Sequence, residues 1–94
     1  MRVRWLYQAL RNLDDEIAFI AADGPQAAKL VADRVTRAVS MLGEHPGIGR
    51  PGRVHGTREL VVLKTRYIVP YRVRDEAIEI LRVFHTSRRL AQRW

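Results

Sequence analysis

The chain has 94 residues, a formal net charge of +7 and no cysteine. This length predicts a single domain over residues 1–94, and the lack of cysteine excludes disulfides and thiolate metal sites. No segment has the apolar length of a signal peptide or a membrane span, so we expect a soluble, cytoplasmic protein.

The basic excess lies in the second half of the chain. Residues 1–48 hold six basic and six acidic residues, whereas residues 49–94 hold eleven basic and four acidic ones. Fifteen of the 17 basic residues are arginine, whose planar guanidinium suits phosphates and carboxylates. We therefore expect an anionic partner, either a nucleic acid or an acidic polypeptide, with a merely solubilising basic surface as the alternative.

The N-terminal segment predicts a strand followed by a helix. In "RVRW", Val3 and Trp5 alternate with arginines, which is typical of a strand with one buried face. Apolar residues then recur at spacings of four, three, four and three: Leu6, Leu10, Leu13, Ile17 and Ile20. This periodicity predicts an amphipathic helix from about Tyr7 to Ala22, without an obvious capping side chain at its start.

A second helix is predicted after a short break. "ADGPQ" interrupts the first helix and offers Asp23 or Gly24 as a cap, with Pro25 at the first helical position. The helical spacing resumes and runs to Gly43, a natural stop, through Ala28, Val31, Val35, Ala38 and Leu42. The short connection makes the two helices an antiparallel hairpin whose apolar stripes need a further surface to cover.

The remainder predicts a loop and three strands. "EHPGIGRPGRVHG" is rich in glycine and proline, and "TRELVVL", "RYIVPYRV" and "AIEILRVF" follow as strand-like runs. Tight turns at 64–65 and 75–76 would join the strands into a meander. Pro70 suggests an edge strand or a bulge, because proline lacks the N–H that a ladder requires.

The order of elements is therefore β-α-α-β-β-β. We expect an α+β fold in which the antiparallel helical hairpin packs on one face of a small, largely antiparallel sheet, with the opposite face open or partly open. Alternation in the second run assigns four residues to the core side: Tyr67, Val69, Tyr71 and Val73. The last run is ambiguous, since Ile80 and Leu81 are both apolar, and a bulge there would flip the register.

Two common site types are disfavoured. Gly47, Gly49 and Gly52 have the G-x-G-x-x-G spacing, but a helix precedes them and a strand follows, the reverse of a dinucleotide site. His45, His55 and His85 are too far apart in sequence to include a close zinc-ligand pair. We therefore predict neither a cofactor nor a metal.

The chain resembles the ParE branch of the RelE/ParE toxin superfamily. The resemblance rests on "LGEHPGIGRPGRVHGTRELVV", "RYIVPYRV" and "ILRVFHTSRR", together with "ALRNLDD" and "PQAA" near the helix starts, and covers nearly the whole chain. It implies the same element order and the toxin half of a bacterial type II toxin–antitoxin system that inhibits growth. The implied partner is a ParD-like antitoxin with a DNA-binding dimerisation region and an acidic, partly disordered segment. Candidate contact surfaces for that segment are the sheet edge, the open sheet face and the outer faces of the hairpin.

The superfamily implies two activities. ParE-like members inhibit DNA gyrase and need no catalytic residue of their own, whereas RelE-like members cleave messenger RNA on the ribosome. RNA cleavage needs a base, an acid and cations around the phosphate. For it the chain offers Arg58, Arg66 and Arg82 as phosphate clamps and His85 or Glu59 as acid or base. The pattern favours the gyrase inhibitor, with the ribonuclease and a non-toxic nucleic-acid-binding module as alternatives.

Nine residues are candidates for contact with the target or the antitoxin: Arg50, Arg53, Arg58, Arg66, Arg72, Arg74, Arg88, Arg89 and Trp94. Some of the candidate residues named above have a structural alternative. Arg58 and Glu59 would belong to the sheet's salt-bridge pattern, His85 would hydrogen-bond the tail, and Trp94 would fold back on the domain.

Overall fold

The structure is a computed structural model that describes residues 1–87. Its helices are α1 (Tyr7–Asp23) and α2 (Pro25–Ser40), the latter followed by a 3₁₀ turn (Met41–Gly43). Its strands are β1 (Arg2–Trp5), β2 (Arg50–Pro51), β3 (Arg58–Val61), β4 (Tyr67–Arg74), β5 (Ala77–Ile80) and β6 (Phe84–His85). The basic tail that carries three of the candidate residues lies outside the described residues: Arg88, Arg89 and Trp94.

The strands form one mixed sheet in the order β1-β5-β4-β3-β2, with β6 paired to β4. All pairs are antiparallel except β1 with β5, which are parallel. The predicted α+β fold with a helical hairpin on a largely antiparallel sheet is therefore confirmed. The two-residue strands β2 and β6 were not foreseen, because so short a pairing leaves no periodicity in the sequence.

The helix boundaries follow the local chemistry of the chain. α1 ends at Asp23, one residue beyond the predicted end, and no side chain caps its start. α2 begins with Pro25 at a position where the missing N–H costs nothing. Its last turn tightens into the 3₁₀ turn, so the α-helix itself stops at Ser40, before the predicted end. Among residues 1–87, neither helix combines the length and the apolar character needed to cross a bilayer.

The core lies between the helical hairpin and one face of the sheet. Val35, Val39 and Leu42 of the second helical segment are almost fully buried, and they belong to the same cluster as Ile78 and Ile80 of β5. Complete burial of such a side chain contributes about 1.5–3 kcal/mol, so this cluster supplies much of the stabilisation. The helical stripes predicted from the spacing therefore cover the sheet, except that Leu10 of α1 is 45% exposed.

One of the residues assigned to the core from the sequence is not buried. Tyr67, Val69 and Tyr71 are buried, but Val73 on the same face of β4 is 47% exposed. The pairing of β3 with β4 ends at Tyr71, so no strand lies beside Val73 on that side. The residue is covered only from β5.

Pro70 was expected either in an edge strand or at a bulge. It lies in the central strand β4, so the edge position is wrong, and a bulge accommodates it. Between the pairs Tyr71–Ile80 and Ile68–Phe84, β4 has two residues and the opposite chain has three. Leu81 N–H donates to the Pro70 carbonyl at 2.9 Å, which places the missing proline N–H toward this bulge rather than toward β3. The bulge also turns Val83 into the core cluster, whereas the buried Leu81 lines a cavity together with Arg72 and Arg74.

The predicted turns are confirmed by backbone conformations that few residues adopt. Lys64 has φ 62°, and Asp75 and Glu76 have φ 52° and 59°. Two consecutive left-handed residues are typical of a type I′ hairpin, whose twist matches that of the flanking strands. The meander β3-β4-β5 is thus set by local turn chemistry.

Candidate functional site

Arginines of the glycine-rich loop are organised around one buried carboxylate. Glu59 is 1% exposed. Arg50 donates from Nε to Glu59 Oε1 at 3.1 Å, and its second guanidinium nitrogen also lies 3.1 Å from that oxygen. The backbone N–H of Arg53 donates to Oε2 at 3.1 Å. Both side chains remain more than half exposed, so Arg50 and Arg53 hold the loop and still present charge to solvent.

Arg58 lies on the other face of the sheet, as the strand alternation predicts for two adjacent residues. It donates to the Gly49 carbonyl at 2.9 Å and reaches the Gly47 carbonyl at 3.5 Å. These hydrogen bonds hold the loop against the sheet. The alternative role for Arg58, a salt bridge within the sheet, is therefore wrong. Arg58 remains a predicted contact residue, with a structural role besides.

The glycines close the loop onto Tyr71. The Gly49 N–H donates to the Tyr71 hydroxyl at 2.9 Å, and that hydroxyl donates to the Pro46 carbonyl at 2.8 Å. A Cβ on Gly49 would lie 2.7 Å from the Tyr71 ring, and one on Gly52 would collide with Thr57. Glycine is therefore required for close packing, which explains the motif without a nucleotide.

A row of alternating charge crosses the sheet on the face away from the helices. Arg4, Glu79 and Arg72 are direct neighbours on β1, β5 and β4. Arg72 Nε donates to Glu79 Oε1 at 2.7 Å, and Arg4 lies 3.9 Å from Oε2. The hydrogen bond from Arg72, aided by the charges of Arg72, Arg74 and Arg4, lowers the pKa of Glu79 against the opposing effect of its burial.

The next row of the same face adds cations without a carboxylate. Arg2, Ala77 and Arg74 are neighbours across the three strands, and both arginines are exposed. We call the surface formed by Arg2, Arg4, Arg72 and Arg74 around Glu79 the cationic face.

A cavity of about 500 Å³ lies where the end of the hairpin meets β4 and β6. We call it the helix-end cavity; its lining includes Glu16, Arg66, Tyr67 and His85. The Tyr67 hydroxyl donates to Glu16 Oε1 at 2.9 Å, and the Tyr67 and His85 rings meet edge to face with centroids 5.1 Å apart. Phe19 and Val31 supply part of its apolar wall.

His85 has its own hydrogen bonds there. Its Nδ1 accepts from the backbone N–H of Ser87 at 3.1 Å and lies 2.6 Å from the Ser87 hydroxyl. A nitrogen that accepts from a backbone N–H carries no proton, so a neutral ring holds its proton on Nε2. The contact ties the chain just after β6, in line with the structural alternative for this residue.

The structure separates the candidate ribonuclease residues into groups. Arg66 and His85 line the helix-end cavity. Arg58 is opposite Tyr71, four residues along β4 from the Tyr67–His85 pair and thus roughly 14 Å away. Arg82, in the bulge, donates to the Leu81 carbonyl at 2.7 Å. The described residues 1–87 contain no cluster of three metal-ligating side chains.

Sequence reasoning did not identify the residues of one surface at the sheet edge. A groove of about 350 Å³ runs between α2 and the outer edge of β3, with exposed apolar residues along it: Met41, Ile48, Val61 and Leu63. Arg34, Arg37 and Lys64 flank it, and Arg34 donates to the Lys64 carbonyl at 3.1 Å. We call it the edge groove. The signal was the unbroken apolar run "LVVL", which exceeds what one buried strand face can hold.

Known proteins resemble the chain along almost all of its length. A sequence profile of the family described as "ParE toxin of type II toxin-antitoxin system, parDE" matches residues 3–90. Y4kP of Sinorhizobium fredii (strain NBRC 101917 / NGR234), named as a candidate toxin, is 46% identical over 91 residues, which cover 97% of this chain and 94% of Y4kP.

A second relative and a solved structure are also similar to the chain along almost all of its length. Toxin RelE2 of Caulobacter vibrioides (strain ATCC 19089 / CIP 103742 / CB 15) is 34% identical over 87 residues, covering 93% of this chain and 97% of RelE2. A structure described as the chromosomal ParDE TA system from P. aeruginosa superimposes with a TM-score of 0.80 at 28% identity, covering 90% of this chain and 95% of that chain. With a profile match from residue 3 to residue 90, a relative 46% identical over 91 residues and a shared fold, the chain belongs to the ParE toxin family of type II toxin–antitoxin systems.

Proposed function

We propose that this ParE-family toxin inhibits DNA gyrase and is held inactive by a ParD-like antitoxin with an acidic segment. The family and the ParDE assembly of its structural relative support a toxin paired with an antitoxin. Gyrase acts in the bacterial cytoplasm, so the same proposal places the protein there.

The candidate catalytic residues lie far apart in the structure, and this separation favours gyrase inhibition over RNA cleavage. General acid–base catalysis requires its groups within hydrogen-bond reach of one substrate atom. Arg58 fastens the loop at one end of β4, Glu59 is buried beneath Arg50, and Arg66 and His85 lie at the other end. A toxin that acts by binding its target needs no such convergence.

The edge groove is the surface that best suits the antitoxin. Beyond Glu59, no strand within residues 1–87 pairs with the outer edge of β3. Val62 N–H bonds to β4, so strand alternation directs the backbone groups of Val61, the last residue of β3, outward. An extended acidic segment would add to this edge, bury the apolar side chains and meet the flanking cations.

A matched pair of variants tests this docking site. Leu63 and Phe19 are 79% and 72% exposed, so a charged residue at either position leaves the fold intact. We expect Leu63→Glu to weaken binding of the co-encoded antitoxin by about tenfold or more, which is about 1.4 kcal/mol, and Phe19→Glu to change it less than about twofold. The reverse order in titration calorimetry would move the site to the hairpin.

Gyrase inhibition is tested with the purified full chain, gyrase and relaxed or supercoiled plasmid. We expect loss of supercoiling and accumulation of cleaved gyrase–DNA complexes, both reversed by the antitoxin. Normal supercoiling at toxin concentrations that still bind the antitoxin would contradict the proposal.

A ribosome-dependent ribonuclease is the second candidate, and the helix-end cavity favours it. Arg66 offers a cation, and His85 and Glu16 offer groups able to move a proton, around one open space. This hypothesis predicts that His85→Ala abolishes transcript cleavage on induction while antitoxin binding persists. Intact transcripts on induction of the unmodified chain would remove it.

A further inference from the structure

We propose that the cationic face binds the phosphodiester backbone of nucleic acid without regard to sequence. The face combines four arginines from two different regions of the chain with one carboxylate inside the strand pairs, Glu79, and the turn beside it adds Asp75 and Glu76. No salt bridge within residues 1–87 engages Arg2 or Arg74, and both are exposed, while Arg4 keeps half of its side chain in solvent, so packing does not explain these cations.

The geometry of the sheet keeps these charges close together. Adjacent strands lie about 4.8 Å apart and residues on one face of a strand repeat at about 6.8 Å, so the four Cα atoms mark a patch roughly 10 by 7 Å. Glu79 reaches Arg72 and Arg4 but has no counterpart in the row of Arg2 and Arg74. The carboxylate therefore orders one row and leaves the other available to an anion.

A cavity beside the face supplies further donors. It measures about 280 Å³ and is lined by His55, Gly56 and Thr57 of the loop and by Arg72 and Arg74 of β4, together with Val54, Val73 and Leu81. Polar groups make up slightly more than half of its lining, whereas apolar side chains dominate the edge groove. Two guanidinium groups, an imidazole and loop backbone around one small space are suited to a phosphate.

The chemistry favours nucleic acid over an acidic polypeptide. A disordered polypeptide must bury apolar surface to offset the entropy that it loses on ordering. On the cationic face the residues between the arginines are Ala77 and Glu79, which are 3% and 7% exposed and so offer little apolar contact to a partner. A phosphodiester backbone needs only the charges, because release of its counterions drives binding.

A direct binding measurement tests the proposal without gyrase or antitoxin, so its failure leaves the proposed toxin function standing. The full chain is titrated into a short fluorescein-labelled DNA duplex at salt concentrations from about 50 to 200 mM. We expect Arg2→Ala with Arg74→Ala to raise the Kd about tenfold at the lowest salt, and to reduce the slope of log Kd against log salt by about 1.8, at 0.9 per lost phosphate contact.

Two matched variants sharpen the result. Arg11→Ala with Lys29→Ala removes the same charge from exposed positions on the helices and should change the Kd less than about twofold. Arg2→Lys with Arg74→Lys keeps the charge and should retain most of the binding, which shows that the arginines act on phosphate and not through packing. Circular dichroism melting confirms that each variant is folded.

Three outcomes would overturn the proposal. They are absence of binding at the lowest salt, an equal loss in both alanine pairs, and displacement of the duplex by polyglutamate as effectively as by unlabelled DNA. The last outcome would assign the face to an acidic polypeptide instead.

Discussion

Tyr71 and Tyr67 lie on the same face of β4, four residues apart. The surroundings of their hydroxyl groups, however, differ at the two ends of the strand. At Tyr71 the hydroxyl makes two hydrogen bonds to loop backbone, and glycine brings the loop into contact with the ring. At Tyr67 the hydroxyl meets Glu16 beside an open cavity of about 500 Å³. The first end is a structural clamp, whereas the second leaves space for a ligand.

The comparison shows why residue type alone does not identify a site. The glycine-rich stretch, with its arginines, has the more suggestive sequence, but its polar groups are largely used within the protein. The helix-end cavity has no recognisable motif, since its residues come from both helices, from β4 and the turn before it, and from the chain after β5. The following variants probe the two ends separately.

Gly49→Ala should have the largest effect. A Cβ at this position lies 2.7 Å from the Tyr71 ring and 3.0 Å from the Glu59 carbonyl, so the loop or the ring must move. We expect a loss of about 3 kcal/mol in the free energy of unfolding, measured by urea denaturation. Gly47→Ala is the control, because nothing lies within 4 Å of its Cβ, and it should change stability by less than about 0.5 kcal/mol. Equal effects would refute the clamp.

Tyr71→Phe should come next. It removes the hydroxyl that accepts from Gly49 and donates to Pro46, and leaves a buried N–H without a partner. We expect a loss of about 2 kcal/mol in the free energy of unfolding. A change smaller than that of Tyr67→Phe would mean that the hydroxyl bonds do not hold the loop.

Tyr67→Phe should cost less, about 1 kcal/mol, because Glu16 lies beside a cavity where water can replace the lost hydroxyl. Calorimetric melting compares it with Tyr71→Phe. If the ribonuclease hypothesis holds, this variant should also alter transcript cleavage, whereas Tyr71→Phe at matched stability should not.

Acidification should produce the smallest effect, and it acts on the face of β4 opposite Tyr67 and Tyr71, where Arg72 pairs with Glu79. The pKa of Glu79 is lowered in the folded state, so its ion pair contributes stability that is fully present above the unfolded value of 4.5 and is lost as pH falls through the folded value. In Glu79→Gln, the fall in stability below pH 4.5 should be shallower than in the unmodified chain. Parallel curves from denaturation at several pH values would show that Glu79 makes no contribution.

Local sequence patterns were sufficient to predict those helices and turns whose conformation depends on a short stretch of residues. The spacing of Leu6 to Ile20 gives α1, and the left-handed turn at Asp75–Glu76 gives the last hairpin. Pro70 and the mixed run after Ile80 were both interpreted through a bulge, and the pairing of β4 with β5 and β6 places one there. Val73 was assigned wrongly because its burial depends on where a neighbouring strand stops.

The candidate site was less predictable than the fold. The arginines were identified by type, but whether each is committed to Glu59, Glu79 or a loop carbonyl depends on cross-strand neighbours that are distant in sequence. The helix-end cavity brings Glu16 to Tyr67 across 51 positions of the chain, and no spacing rule reports such a meeting. The residues of the edge groove were not identified from the sequence, because which strand edge stays unpaired shows only in the sheet order.

By itself, the sequence determined the α+β class, the helical hairpin, the turns and the cationic second half, since each depends on periodicity, turn chemistry or composition within a short window. The tertiary structure alone decided which arginines hold the protein together and which face outward. It also decided where an edge and a cavity remain open. The physical reason is that ion pairing and burial are set by neighbours across the sheet, and register, unlike helical spacing, joins residues that are far apart in the chain.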